Sequence, residues 1–486
     1  MRVPLPVLAL ALALPSAAGA QDAPDADAVV VEELVVTAGR ERGAAEVGDI
    51  APEVQLDARE IRALGAGSLS ELIEALGPQI ASGRGRGDGP PVFLLNGRRI
   101  SGFREIAALP PEAILRVDVL PEEAALRYGF RADQRVVNFV LRPRFRSVAV
   151  EARAGGATAG GRGQGGAEAD ALRLTPEGRL SLDLSHARAT ALLESERDLQ
   201  PPAPGAPDHR PFRTLLPETE TTDLGAVANR ALGDVSATLS ASLQETDSRS
   251  LLGLRPGSVE AVAARESEAR AGRLGLALNG EAADWRWSVT GAYDEARSKT
   301  LTDPRRPGAA ERDRARSVNR GGALDGVVSG SLLRLPAGEL AVTLRAGAET
   351  RRFESEAVRA SVPSGAELGR DRGSLQASLD LPLASRRRGV LEGVGDLSVN
   401  LNAEREQLSD FGGLTTAGAG LTWSPRERLQ LIASVTAEDG APTVSQLGDP
   451  AVLTPGVPVF DFRRGETAEV LRLEGGAPSL RADRRR

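Results

Sequence analysis

The sequence predicts a small α/β domain followed by a long run of antiparallel β-strands of the transmembrane-barrel kind. Three observations carry that prediction. The chain opens on an export leader, yet no later segment approaches the ~20 continuous apolar residues of a membrane-spanning helix. Residues Pro90 to Arg142 switch between short apolar runs and Pro/Gly punctuation, as in a compact α/β unit. From Ser147 onward, apolar and polar residues alternate with a period of two, the pattern of strands with lipid on one side and water on the other.

The leader is Met1-Arg2, the apolar run Val3 to Leu14, and Ala18-Gly19-Ala20 ahead of Gln21-Asp22. This is a secretory signal peptide with an A-x-A cleavage site, so residues 1–20 are expected to be removed on export. A protein of this kind that lives in a membrane does so as a β-barrel, because only helices and closed barrels satisfy every backbone group in lipid. The chain has no cysteine, which excludes disulfides, thiolate catalysis and Cys-type metal sites. A net charge of −7 with scattered arginines implies no nucleic-acid partner. The aromatic content of 3% is low for a barrel, whose interfaces usually carry aromatic girdles.

Taken in order, Gln21 to Val29 is short, polar and Pro-containing, as in a flexible lead-in. Residues 29–40, VVVEELVVTAGR, form an extended-favouring apolar segment between polar neighbours. Such a segment is either an edge strand of the following domain or a strand offered to a partner's sheet edge. Two short helices follow, Asp57 to Leu64 and Ser68 to Leu76. Each is opened by a capping-box pair, Asp57 with Glu60 and Ser68 with Glu71. Leu69, Leu72, Ile73 and Leu76 share one face of the second, which is expected to pack on a sheet. The run Ser82 to Gly89, SGRGRGDG, lacks the flanking strand and helix of a phosphate cradle and is expected to be a loop.

Val92 to Leu95 reads as a strand ending in a tight turn at Asn96-Gly97, residues that tolerate positive φ. Leu115 to Leu120 and Arg135 to Leu141 read as two more strands. Beyond them the alternation is regular. Leu180, Leu182 and Leu184 alternate with Ser181, Asp183 and Ser185, and Val235, Ala237, Leu239, Ala241 and Leu243 with Ser236, Thr238, Ser240, Ser242 and Gln244. It counts out to about a dozen strands of ~10 residues. Asn279 to Asp284 and Leu335 to Glu339 are expected as short turns, and Glu194 to Thr222 and Glu295 to Asn319 as long surface loops on the opposite side. A soluble β-sandwich would show the same alternation; the leader is what favours a membrane. His186 and His209 have no metal-ligand spacing, and no H-E-x-x-H, G-x-S-x-G or Walker pattern occurs. No enzyme activity, metal or cofactor is expected.

FLLNGRRI, LPPEAILRVDVLPEEAALRYG and VVNFVL resemble consecutive blocks of the plug domain of TonB-dependent outer-membrane receptors. The resemblance implies an α/β plug inside an antiparallel barrel: a flexible segment 21–50, a plug over 51–145 and a barrel over 146–486. It makes residues 32–40 a TonB box, with Glu32, Glu33, Leu34, Val35, Val36 and Thr37 as the residues that bind a TonB-type periplasmic energy-coupling protein. It places Arg116 in a plug–barrel lock and makes Asn96, Gly97, Tyr128 and Gly129 turn residues of the plug. Arg84, Arg86 and Asp88 then sit on a ligand-facing plug loop. The function implied is energised uptake of a scarce bulky solute, such as a ferric siderophore, a cobalamin or an oligosaccharide, by a monomer in outer-membrane lipid inserted by the barrel assembly machinery. The sequence departs from the family at Pro121-Glu122, at Gly77-Pro78 and after Tyr128-Gly129. Family barrels have ~22 strands, more than the residues after Ser147 supply, and the chain stops at Arg486 without a terminal aromatic. A C-terminally truncated barrel is therefore expected, with a non-transporting relic or binding protein, or a secreted β-rich adhesin or enzyme, as the other readings.

Overall fold

The computed structural model describes residues 52–80, 91–130, 134–199, 208–255, 258, 261–304, 311–426 and 429–485. The leader, the segment Glu32 to Thr37, and Arg84, Arg86 and Asp88 lie outside the described residues.

The first element is strand β1 (Val54–Asp57), followed by helices α1 (Ala58–Ala63), α2 (Leu69–Ala75) and α3 (Gly77–Ile80). Strands β2 (Val92–Leu95), β3 (Arg98–Arg99), β4 (Ile114–Leu120) and β5 (Val136–Leu141) complete a five-stranded sheet in the order β1-β4-β5-β2-β3. At α1 the Asp57 carboxylate accepts from the Arg59 and Glu60 amides while Glu60 accepts from the Asp57 amide, so the capping box is complete. These amide bonds hold the Asp57 carboxyl below its ordinary value. At α2 only one arm forms as expected. Ser68 accepts from the Glu71 amide, but Glu71 accepts from the amide of Gly67, one residue earlier.

Leu69, Leu72 and Leu76 are fully buried against Val117, Val119 and Phe139 on one face of the sheet. The other face is covered by the 3-10 segment Glu122–Tyr128, where Leu120, Ala124, Ala125 and Tyr128 pack on Val92 and Val136. Burial on both faces explains why β5 reads VVNFVL, without alternation. Asn96 and Gly97 adopt φ of 50° and 72° in the hairpin turn between β2 and β3.

The rest of the chain is dominated by one sheet of 14 strands. Its first strands are β6 (Phe145–Gly156), β7 (Gly163–Thr175) and β8 (Gly178–Ala189). A small pair, β9 (Leu192–Leu193) and β10 (Thr214–Leu216), lies in the connection that follows. The sheet resumes with β11 (Glu218–Leu232), β12 (Val235–Leu254), β13 (Val262–Ala282), β14 (Trp285–Thr302), β15 (Asp313–Leu335) and β16 (Gly338–Arg359). It continues through β17 (Val362–Ala384), β18 (Asp396–Leu408), β19 (Gly412–Arg426) and β20 (Leu429–Gly440). After β20 come helix α4 (Val444–Gly448), a separate hairpin of β21 (Val452–Asp461) and β22 (Glu466–Glu474), and β23 (Asp483–Arg485), which pairs back on β20. Every neighbouring pair in the large sheet is antiparallel; among the described strands, β6 and β23 stand at its ends.

Burial in this sheet is inverted relative to a water-soluble sandwich. Leu180, Leu239, Leu274, Leu344 and Leu375 are 50%, 58%, 54%, 51% and 67% exposed, whereas Ser181, Thr238, Ser240, Asn279 and Ser378 are buried. The aliphatic set faces out and the polar set faces in, the arrangement of a wall with lipid outside and a polar lumen inside. The lumen holds the α/β domain. Leu172 and Leu174 of β7 join that domain's core at one end, and Asp380 of β17 pairs with its Arg127 at 3.9 Å at the other. Laid flat, β7 through β17 would span about 40 Å at ~4.8 Å per strand. A domain of this length is about 30 Å across. The sheet therefore curves round it.

Two expectations about the connections are corrected. Residues Glu218–Thr222, Glu295–Thr302 and Asp313–Asn319 belong to β11, β14 and β15, not to loops. A bilayer needs only ~9–11 residues per strand, and the longest strands here have 23. The outward face of the extra length carries ion pairs where the apolar stripe ends: Arg270–Glu245 (2.5 Å), Arg320–Glu295 (3.0 Å) and Arg352–Asp371 (3.1 Å). Charged residues there read as loop, although backbone pairing continues beneath them. The turns are also tighter than expected. β13 runs to Ala282, so the connection is only Ala283-Asp284, with Ala283 at φ 54°. On the opposite side, where long loops were expected, β16 and β17 are joined by Ala360-Ser361 alone, both left-handed.

Candidate functional site: the seam between the inner domain and the wall

The inner domain meets the wall through the segment that leaves β3 and through Glu122–Tyr128. Ile100 anchors the segment in the core, and Gly102, at φ 156°, lets the chain enter the 3-10 turn Phe103–Glu105. Glu105 closes that turn: one carboxylate oxygen accepts from the Ser101 amide (2.8 Å) and hydroxyl (3.0 Å). The other oxygen faces Arg179 of β8, whose Nη2 lies 3.4 Å away and also donates to the Glu105 carbonyl at 3.2 Å. Both side chains are under 5% exposed, so this is a desolvated ion pair across the seam. Burial pushes the Glu105 carboxyl above its usual range, against the opposing pull of Ser101 and Arg179.

Further hydrogen bonds extend the seam. Arg273 donates to the Ser101 carbonyl (3.0 Å), Asn279 to the Arg99 carbonyl (3.1 Å), and the Ser101 and Ser240 hydroxyls meet at 3.2 Å. Arg104 reaches Asp223 at 3.3 Å. Arg99 is buried with its guanidinium 4.8 Å from the Phe130 ring centre. Burial brings it down to about 10, with Asp325 opposing and Arg345 adding to the shift.

Of the residues singled out in the sequence, Asn96 and Gly97 form the β2–β3 turn and also tie the sheet together. The Asn96 side chain accepts from the Leu141 amide (2.8 Å), and the Gly97 amide donates to buried Asn138 (2.7 Å). Asn138 donates in turn to Asp118 (3.3 Å), and Asp118 also accepts from Gln55 (2.8 Å) and from Arg116 Nε (3.1 Å). Arg116 thus joins the polar network of β4, and Glu105, Arg104 and Arg127 form ion pairs across the seam. Tyr128 is buried, and burial raises its phenol against the pull of Arg286 and Arg127.

Gly129 caps the Tyr128 segment at φ 71°, and Arg345 Nη1 approaches its carbonyl at 3.5 Å. A Cβ at Gly129 would lie 2.8 Å from Val327 Cγ2 of β15. Gly129→Ala is therefore expected to destabilise the inner domain by about 1–2 kcal/mol from the left-handed backbone alone. A lowered urea midpoint for exchange of the β5 amides, with the large sheet unaffected, is the measurement that checks it.

Glu105 and Arg179 were not singled out by sequence reasoning. The inward position of Arg179 was legible, because it shares a face with Ser181 and Asp183. Nothing local marks Glu105 as buried, since its partner lies 74 positions away.

A curved antiparallel wall that is polar inside and aliphatic outside, holding a separate α/β domain in its lumen, defines a plugged β-barrel architecture. Solved structures share this fold. The siderophore receptor PirA from Pseudomonas aeruginosa is 16% identical, with a TM-score of 0.51 over 88% of this chain and 69% of that one. A variant of the ferric enterobactin receptor PfeA from the same organism, in complex with enterobactin, is 14% identical, with a TM-score of 0.54 over 89% and 68%. The RagAB peptide transporter is 9% identical, with a TM-score of 0.53 over 89% and 64%. No family model and no curated protein matches the sequence.

Proposed function

We propose that the chain is a TonB-dependent outer-membrane receptor, or part of one, that takes up a scarce bulky solute by moving the domain Val54–Leu141 within the lumen. The observation that supports this most is the inverted burial of the large sheet combined with a separately folded domain inside it. The shared fold with siderophore receptors and a peptide transporter supports a transport role over an enzymatic one. Glu32 to Thr37 is the segment that would pair with a TonB-type periplasmic protein, lending an extended strand to the partner's sheet edge. Export through the leader, insertion by the barrel assembly machinery and residence as a monomer in outer-membrane lipid complete the reading.

Deleting Glu32 to Thr37 is expected to abolish energised uptake while leaving the protein in the outer-membrane fraction with unchanged heat-modifiable migration. Uptake that persists after the deletion removes the coupling role from this segment.

A further inference from the structure

Above the inner domain the lumen keeps a cavity of about 450 Å³ between β15–β19 and the start of α4. We propose that this cavity is a binding site for an uncharged, hydroxyl-rich solute of about disaccharide size, roofed by α4. The proposal rests on reading the large sheet as a lumen wall, and it names the class of solute.

The charge arrangement decides the class. Arg351, Arg370 and Arg372 all line the cavity, which on its own would suggest an anion. Each is already held. Arg351 donates to Asp294 (2.6 Å) and Glu349 (2.8 Å), Arg370 to Asp410 (2.6 Å) and the Pro442 carbonyl (2.7 Å), and Arg372 to Glu349 (3.3 Å) and Glu406. Three guanidinium groups thus stand among four carboxylates. Every guanidinium already faces a carboxylate, so neither an anion nor a cation finds an uncompensated counter-charge in the lining. A hydroxyl needs none. A guanidinium has more N–H groups, and a carboxylate more lone pairs, than one ion pair uses, so a neutral diol can donate to one and accept from the other with the pairs intact. Leu408, Leu414 and Val444 supply apolar surface for the C–H faces of such a solute. The volume falls toward the lower end of the ~300–1,000 Å³ range of small-ligand sites, which suits a disaccharide better than a bulky chelate.

The roof is fastened on both sides. Ser355 donates to the Gly448 carbonyl (2.9 Å), and a Cβ on Gly448 would press on Leu368 and on Phe353 (3.1 Å). Beyond α4 the hairpin of β21 and β22 crosses to the tops of distant strands. Arg265 of β13 donates to Leu453 (2.8 Å) and Thr454 (2.9 Å), and Arg213 pairs with Glu469 at 2.7 Å.

Calorimetric titration of the purified full chain in detergent tests the site. The uncharged probes are maltose, trehalose and cellobiose, with citrate as the anion and spermidine as the cation. At least one disaccharide is expected to bind saturably. Ser445→Trp, which fills the cavity from the roof, should weaken that binding about tenfold or more, and Ser445→Ala should change it little. Unchanged heat-modifiable migration of both variants separates this effect from misfolding. The proposal is overturned if no disaccharide saturates, if citrate or spermidine binds in a Ser445→Trp-sensitive manner, or if disaccharide binding ignores Ser445→Trp. Binding is read without uptake, so a failure of the coupling role leaves this result standing, and the converse also holds.

Discussion

Arg179→Met is expected to destabilise the inner domain by about 3–5 kcal/mol, the range for removing one partner of a buried ion pair. The cause lies in what remains: Glu105, under 5% exposed, would face a thioether with no cation to balance its charge. Its hydrogen bonds to Ser101 stabilise the turn but do not neutralise the charge. Glu105→Gln is expected to cost a comparable amount, because an amide keeps an acceptor for Ser101 but leaves the buried Arg179 guanidinium, which keeps its charge, without a carboxylate. The pH dependence has a definite sign. A carboxyl whose folded-state pKa is raised contributes stability below its unfolded value and loses it as pH rises through the folded one. The Arg179→Met defect should therefore shrink on acidification, as Glu105 takes up a proton. Hydrogen exchange of Val117, Val119, Val137 and Phe139 amides in urea reads the inner domain separately from the wall. A deficit that deepens in acid would contradict the assignment of Glu105 as its source.

Leu239→Arg is expected to cost about 2–4 kcal/mol of wall stability in a lipid bilayer, the range for an arginine on the lipid face near the midplane. Leu239 is 58% exposed and flanked along its strand by Ala237, Ala241 and Leu243, and one diagonal neighbour on its face is Arg230, so the guanidinium has no acceptor or counter-charge beside it. A water-soluble sandwich would accept an arginine at an exposed position at almost no cost. Urea unfolding in lipid vesicles, followed by tryptophan fluorescence from Trp285, Trp287 and Trp423, distinguishes the two.

The sequence made much of this fold readable, for local reasons. Period-two alternation in β8, β12, β16 and β17 shows which side chains share a face, and the leader argues that the chain is exported. Asn96-Gly97 marks its turn because few residues accept two successive positive φ values, and the Asp57–Glu60 capping box is a four-residue signal. The ends of the long strands were not readable. Past the apolar stripe both faces are polar, and the ladder is held by backbone bonds and cross-strand pairs such as Arg270–Glu245, which no single-strand pattern reveals. The seam was hidden for a related reason. Glu105 lies in an unpatterned stretch, and its burial depends on how the inner domain is seated against β8. The cavity beside α4 is likewise set by the register of five strands, since Asn319, Arg351, Arg372, Glu406 and Leu414 meet only once β15 through β19 are aligned.

The orientation of the wall can be measured directly, because the chain has no native cysteine to confuse labelling. Single cysteines placed along β12 at Ala237, Leu239 and Ala241, and at the intervening Ser236, Thr238 and Ser242, can be reacted in membranes with a lipid-partitioned maleimide and with a membrane-impermeant one. A lipid-facing odd set gives strong lipid-phase labelling at 237, 239 and 241, and little at 236, 238 and 242. Equal labelling of both sets, or impermeant-reagent labelling of the odd set, would contradict a membrane-embedded wall with the inner domain in its lumen.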